Sequence, residues 1–346
     1  MTELLADHTT LRLGGPARRW VRATTEQELV AAVDEADRAG EPVLVLGGGS
    51  NLVVADEGFD GTVVEVATTG VVSDTETVDR TRTSVCGGAM VTVAAGESWD
   101  GFVARAVAAG WVGVEALSGI PGTVGATPIQ NVGAYGQEVA QTIARVRVWD
   151  RRLHGVRTFA AADCGFAYRT SRFKADPGRH VVLEVTFQLP VGDTSAPVAY
   201  AELARALGVE VGQRAGLAAV RDAVLALRAG KGMVLDPADH DTWSAGSFFT
   251  NPVVEPARVP EGAPAYPQGD GTVKTSAAWL IEHAGFAKGY GNDRVSLSTK
   301  HTLALTNRGP ATTADLLALA REIRAGVQEA YDIELVNEPV MLGCTL

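Results

Sequence analysis

Between Ser118 and Glu138 the chain reads SGIPGTVGATPIQNVGAYGQE. Gly119, Gly122, Gly125, Gly133 and Gly136 keep this stretch from being a regular helix or strand throughout, because glycine is costly in the interior of either. It carries few charges and several small apolar residues, whereas an exposed linker would be more polar. It therefore reads as irregular backbone packed against something flat and mostly apolar, with N–H groups that need partners. A flavin ring with its pyrophosphate fits that description, and so does a buried structural Ω-like loop.

A second cluster, Gly47-Gly48-Gly49-Ser50-Asn51, follows the apolar run Pro42–Leu46, which reads as a short buried strand. Glycines at the end of a strand let backbone N–H groups approach a ligand, and successive N–H groups can form an anion nest. Leu52 stands where the third glycine of a dinucleotide fingerprint belongs, and there is no Gly-Lys-Ser/Thr, so neither the usual NAD fold nor an NTPase follows. On its own the cluster reads equally well as a tight turn.

With 346 residues the chain is expected to form two or three packed units. Its 46% hydrophobic and 21% charged residues suit a globular protein, and no apolar run is long enough to span a bilayer. The start, MTELLADHTT, has Glu3 and Asp7 and lacks a basic-then-apolar layout, so a cytoplasmic protein with no membrane insertion is expected. A net charge of -11 argues against nucleic acid as partner while leaving anionic small molecules open. Cys86, Cys164 and Cys344 are far apart and lack metal spacing; reduced thiols and no metal centre are expected.

Strand and helix signals alternate. Thr25 and Glu28 form a capping-box signature ahead of Leu29, Val30 and Val33, with Gly40 placed to end that helix. A strand is expected at Thr62–Val66 and extended chain at Val91–Ala94. Ser98 and Gly110 bracket a helix over Trp99–Ala109, and strands are expected at Ile143–Trp149 and His180–Leu189. Val191–Pro197 shifts to loop composition. Helices are expected near 200–207, 217–229, 276–284 and 313–330, and Ile333–Gly343 reads as a closing strand. The coarse expectation is an α+β chain.

The two glycine segments, as LGGGSNLVV (Leu46–Val54) and IPGTVGATPIQNVGAYGQE (Ile120–Glu138), resemble the FAD-binding segments of UDP-N-acetylenolpyruvoylglucosamine reductases, of the vanillyl-alcohol-oxidase-like superfamily. Three further segments match that family's motifs in order: Tyr168-Arg169-Thr170-Ser171-Arg172-Phe173-Lys174, Gly246-Ser247-Phe248-Phe249-Thr250-Asn251-Pro252, and Asn337-Glu338-Pro339. The resemblance implies two FAD-binding subdomains of the vanillyl-alcohol-oxidase type, over 1–68 and 69–190. A C-terminal α/β substrate-binding domain over 191–346 would follow, its last strand free to return to the FAD region. It implies FAD held by Gly47, Gly48, Gly49, Ser50 and Asn51 and by Gly119, Ile120, Pro121, Gly122, Gly125, Ala126, Gln130, Asn131, Gly133, Ala134, Tyr135 and Gly136. Neither loop has the His or Cys by which relatives attach FAD covalently, so non-covalent FAD is expected, with NADPH as hydride donor.

The implied reaction reduces the enolpyruvyl group of UDP-N-acetylglucosamine enolpyruvate in peptidoglycan precursor synthesis. Hydride goes to the terminal alkene carbon and negative charge spreads from C2 into the carboxylate. Donors aimed at that charge should be the largest catalytic term. The resemblance gives that part to Arg169, as a cationic fork, and to a protonated Glu338, with Ser247 as the acid that protonates C2. Tyr168, Tyr200, Lys231, Asn251, Tyr266 and His301 fall at implied substrate contacts, and Tyr266-Pro267-Gln268 with Asp270–Lys274 resembles the family's long form. The family often has Lys where Thr250 stands. Without the motifs, Arg169 reads as a surface charge, Ser247 as a turn or cap, His301 as a satisfied core or surface residue, and only Glu338, amid Leu335, Val336 and Val340, is unusual. A monomer is expected. Three other readings are a related FAD oxidase acting on an alcohol or hydroxy acid, a non-catalytic sugar-nucleotide-binding protein, and two unrelated domains without a ligand.

Overall fold

The first helix begins where its local chemistry demands. The Thr25 hydroxyl accepts the Glu28 N–H, and the Glu28 carboxylate accepts the Thr24 and Thr25 N–H groups in return, which satisfies donors the helix leaves orphaned. In the computed structural model, which describes residues 3–75 and 88–346, the chain runs β1 (Ala17–Ala23), α1 (Glu26–Arg38), β2 (Val43–Leu46), β3 (Leu52–Val54), β4 (Phe59–Val66), β5 (Val71–Thr75), β6 (Gly88–Ala94) and α2 (Trp99–Ala109). Then come β7 (Gly133–Ala134), β8 (Gln137–Glu138), β9 (Ile143–Asp150), β10 (Gly155–Ala160), α3 (Arg172–Ala175), β11 (His180–Pro190), α4 (Ala201–Leu207) and α5 (Leu217–Gly230). The last stretch holds β12 (Val253–Val254), β13 (Ala265–Pro267), β14 (Val273–Thr275), α6 (Ala277–His283), β15 (Val295–Leu297), β16 (Leu305–Asn307), α7 (Thr313–Tyr331) and β17 (Val340–Leu342). Cys86 lies outside the described residues. Among the described residues no helix is long and apolar enough to cross a membrane.

The backbone divides into two units. The sheet unit comprises Arg19–Gly48 and Gly61–Ala229; the terminal unit comprises the chain up to Arg18, Gly49–Asp60 and Gly230–Leu346.

The sheet unit is built on an antiparallel sheet of order β10-β9-β11-β6-β5. α2 begins at Ser98, whose hydroxyl accepts the Gly101 N–H, and ends at Gly110 in the left-handed region, as its sequence predicts. It buries Trp99, Phe102 and Val103, and the Phe102 ring stacks on Phe187 of β11 at 4.9 Å. β2 runs parallel to β4, with Val43 opposite Thr62. α4 and α5 enclose a small core of Val198, Leu203, Ala204, Val220 and Val224.

In the terminal unit, β17 lies parallel to β3, with Val340 opposite Leu52 and Leu342 opposite Val54. α7 carries its own capping box at Thr312 and Asp315, and buries Leu316, Leu317, Ile323 and Val327 with Leu280 and Ile281 of α6. The expected closing strand over Ile333–Gly343 shrinks to β17. Residues 336–338 bond instead to the segment 248–250, with Thr250 N–H to Val336 O at 3.0 Å and Glu338 N–H to Phe248 O at 2.8 Å. Pro339 then interrupts the ladder, having no N–H to give.

Candidate functional site

In the sheet unit the two glycine segments meet. A Cβ on Gly47 would lie 2.6 Å from Thr123 Oγ1, and one on Gly48 2.6 Å from Gly122 Cα. Gly125 is pressed against Ala95, 2.5 Å from where its own Cβ would stand. Contacts this close hold the two segments side by side with little side-chain bulk, and glycine backbone of this kind can turn its N–H groups toward a pyrophosphate and pack against a flat ring. The residues present therefore fit FAD.

The Tyr168-Arg169 turn joins the second of these segments. The Arg169 guanidinium donates to the Gly133 carbonyl at 2.7 Å and to the Asn131 carbonyl at 3.4 Å, and its carbon lies 5.3 Å from the centre of the Tyr168 ring. Asn131 is buried and engaged by protein: its amide donates to Glu138 at 2.7 Å and to the Ala167 carbonyl at 3.1 Å, while its oxygen accepts the Ala140 N–H. It holds the loop's shape and ties it to the Arg169 turn. Tyr200, half exposed just before α4, stands edge-on to Tyr135 at 5.6 Å.

Beneath Tyr135 lies a charged cluster that no motif in the sequence marks. Asp100 of α2 takes both guanidinium nitrogens of Arg221, at 2.6 and 2.9 Å, and the Gly119 N–H at 2.6 Å. Arg228, two helical turns further along α5, is almost fully buried beside them. Burial raises the Asp100 carboxyl, but the Arg221 hydrogen bonds, the Gly119 N–H and the charges of Arg221 and Arg228 outweigh it and hold the group below its usual range. Burial pulls the Arg228 guanidinium down and pushes the Tyr135 phenol up to about 12. Glu115, fully buried, accepts the Gly113 and Ala196 N–H groups and the Gln137 amide, and so fastens the end of the second glycine segment. Arg221 and Arg228 share a helical face with Val220 and Val224. Charges seven residues apart on an apolar stripe were the signal available in the sequence.

In the terminal unit, the pairing of 248–250 with 336–338 brings Ser247 and Glu338 onto neighbouring segments. Both are half-buried, so Glu338 is less enclosed than its apolar neighbours suggest. Asn51 reaches the same place: its carbonyl accepts the Val340 N–H at 2.9 Å and its amide lies 3.5 Å from the Glu338 carbonyl. The Phe248 N–H donates to the Leu303 carbonyl at 2.7 Å, which sets the turn carrying His301 beside Ser247. Thr10 ties Gly49 to the chain just before Ser247, through its N–H to the Gly49 carbonyl and its hydroxyl to the Ser244 carbonyl. Thr250, where the family often has Lys, gives both its N–H and its hydroxyl to Val336. Asn251 accepts the Ala277 N–H at the start of α6. Tyr266 is carried on the separate small sheet β12-β14-β13, exposed and opposite Lys274, and Lys231 lies one residue beyond α5.

Comparison with known proteins gives two family matches. Residues 17–152 match the model of an FAD binding domain, and residues 236–342 match that of the UDP-N-acetylenolpyruvoylglucosamine reductase C-terminal domain. The chain is 61% identical to the UDP-N-acetylenolpyruvoylglucosamine reductase of Cutibacterium acnes, covering 99% of this chain and 90% of that protein. It is 60% identical to the Thermobifida fusca protein of the same name, covering 99% and 97%. The crystal structure of the Thermus caldophilus UDP-N-acetylenolpyruvylglucosamine reductase aligns over 99% of this chain and 98% of that one, at 27% identity and a TM-score of 0.66.

Proposed function

The chain belongs to the UDP-N-acetylenolpyruvoylglucosamine reductase family, and from that premise we propose which of its residues bind and which react. It is an FAD-dependent oxidoreductase that uses NADPH to reduce the enolpyruvyl group of UDP-N-acetylglucosamine enolpyruvate, giving UDP-N-acetylmuramate for peptidoglycan. FAD, when bound, would supply the transfer of hydride from NADPH to the terminal alkene carbon. The chain's own residues do the rest. Gly47, Gly48 and the segment Gly119–Gly136 hold the cofactor without covalent attachment. Arg169 offers its fork to the substrate carboxylate, on which charge accumulates, and Glu338 in its protonated form donates a hydrogen bond to the same charge. Ser247 gives a proton to C2, which balances the added hydride. Tyr168, Tyr200, Lys231, Asn251, Tyr266 and His301 are assigned to the sugar nucleotide. The chain acts as a cytoplasmic monomer, a state that light scattering on the purified protein tests.

The observation that supports this reading is the backbone contact of Gly48 with Gly122, which joins the first glycine segment to the second, whose Gly133 carbonyl receives Arg169. The test is a visible spectrum of the purified protein, followed by anaerobic NADPH and then the enolpyruvyl substrate. Bleaching by NADPH and return of the yellow colour with substrate are expected. A colourless protein favours a binding protein without redox chemistry. Bleaching that persists after substrate sinks the assignment.

A further inference from the structure

Lys174 and Ser171 belong to the segment that carries Arg169. Arg169 sits in the left-handed region at φ 50, inside a tight turn closed by Ala167 and Thr170, which exchange N–H to carbonyl bonds of 3.1 and 3.2 Å. That backbone is unfavourable for a residue with a Cβ, so it persists only if its surroundings impose it. They do so in a closed circuit. The Lys174 ammonium, half-buried, donates to the Arg169 carbonyl at 2.9 Å. Lys174 is held in place by α3, whose first N–H groups, those of Phe173 and Lys174, donate to the Ser171 hydroxyl at 3.1 and 3.3 Å. That hydroxyl in turn donates to the Ile129 carbonyl at 2.5 Å, in the glycine segment whose Gly133 carbonyl receives the Arg169 guanidinium. The buried Phe173 ring anchors α3 against Phe159 at 6.0 Å.

We infer that Lys174 and Ser171 are positioning residues: Lys174 fixes the Arg169 main chain, Ser171 fixes both α3 and the glycine segment, and together they set where the guanidinium points. The inference rests on the reading of Arg169 as the carboxylate fork. The circuit binds one end of Arg169 through its carbonyl and the other through its guanidinium. Loss of the Lys174 ammonium therefore removes one restraint on the Arg169 main chain while leaving the Arg169 charge in place.

The test uses the FAD-loaded enzyme and Lys174→Met, which keeps most of the side-chain length, Lys174→Arg, which can still donate to the carbonyl, Arg169→Lys, and the double variant Arg169→Lys/Lys174→Met. Reoxidation by the enolpyruvyl substrate should slow about 10- to 100-fold in Lys174→Met, the scale of a small misplacement of a reacting group. Flavin content, the thermal midpoint and the rate of flavin reduction by NADPH should stay near those of the parent. Binding of UDP-N-acetylmuramate, read from perturbation of the flavin absorbance, should weaken in step with reoxidation. Lys174→Arg should recover most of the lost rate. The double variant should be no slower than Arg169→Lys alone, because both changes remove one function. A double variant slowed by the product of the two single effects overturns the inference, since Lys174 would then act independently of Arg169. So does a Lys174→Met protein that loses flavin or slows equally in both half-reactions, which marks a general structural role. If Arg169→Lys itself turns over at the parent rate and binds UDP-N-acetylmuramate normally, the Arg169 reading falls, whatever Lys174 does.

Discussion

Gly48 and Gly122 touch main chain to main chain, so that a Cβ on the first would stand 2.6 Å from the Cα of the second. No side chain fits that space unless the two segments separate, because neither contact atom is the mobile end of a side chain. Gly48→Ala is therefore expected to disturb the two glycine segments and little else. Gly48 lies two residues beyond β2 and outside the apolar core. The variant should fold, with far-ultraviolet circular dichroism like the parent's, and should lose most of its bound FAD on gel filtration. Full retention of FAD by Gly48→Ala would show that the cofactor does not depend on this contact.

Ser247→Ala separates the two halves of the reaction. The hydroxyl is assigned to proton delivery at C2, which enters only after the flavin has been reduced. Flavin bleaching by NADPH should therefore continue at nearly the parent rate, while reoxidation by the enolpyruvyl substrate falls by about 10²-fold or more, the usual worth of a positioned general acid. Stopped-flow absorbance of the flavin reads both steps. The opposite pattern, slow bleaching with normal reoxidation, removes Ser247 from the role of acid.

The signals that local sequence carries were legible, and those that depend on distant partners were not. Thr25 with Glu28, and Ser98 with Gly110, announce helix ends by side-chain chemistry confined to one turn, and both helices stand where that chemistry places them. β10 and β13 are largely exposed, and β12, β13 and β14 are only two or three residues long, so little apolar alternation marks them in the sequence. Motif resemblance selected Arg169, Ser247 and Glu338 as residues. It could not reveal that Ser171 reaches Ile129, a pair separated by 42 positions, or that residues 336–338 abandon β17 for the segment after Ser247. A lone arginine in a helix, such as Arg228, reads as surface, and only the fold shows it buried near Asp100 and Tyr135.

Tyr135 offers a test of the environment around the second glycine segment. Burial pushes its phenol up to about 12, with the charges of Glu202 and Tyr200 adding to the rise and Arg228 opposing it. At about pH 10.5, half a unit above an ordinary tyrosine, exposed phenols are largely ionised and this one stays neutral. The phenolate absorbance of Tyr135→Phe should therefore equal that of the parent at that pH. A deficit of one tyrosine's absorbance in the variant would mean that Tyr135 ionises with the rest and is not enclosed.

Asp315 links pH to stability in the terminal unit. Its carboxyl is held down to about 2 by Arg294, and next by the Thr312 hydroxyl and N–H, with burial working the other way. The folded value lies below the unfolded one, so folding favours the ionised form. The stabilisation is complete above about pH 5 and drains away as the pH falls toward 2, where the folded protein also takes up the proton. Because the Arg294 partner is substantially exposed, solvent screening reduces the benefit, and the cap with its ion pair is worth about 1 kcal/mol. Asp315→Ala should lower the free energy of unfolding at pH 7, read from urea denaturation, by about that amount, and the gap between variant and parent should narrow steadily between about pH 5 and pH 2. Arg294→Met should reproduce the larger part of the effect, since Arg294 is the leading cause of the depressed value. A gap of constant size across that range would mean that the Asp315 charge contributes nothing and that the variant differs only in helix propensity and packing.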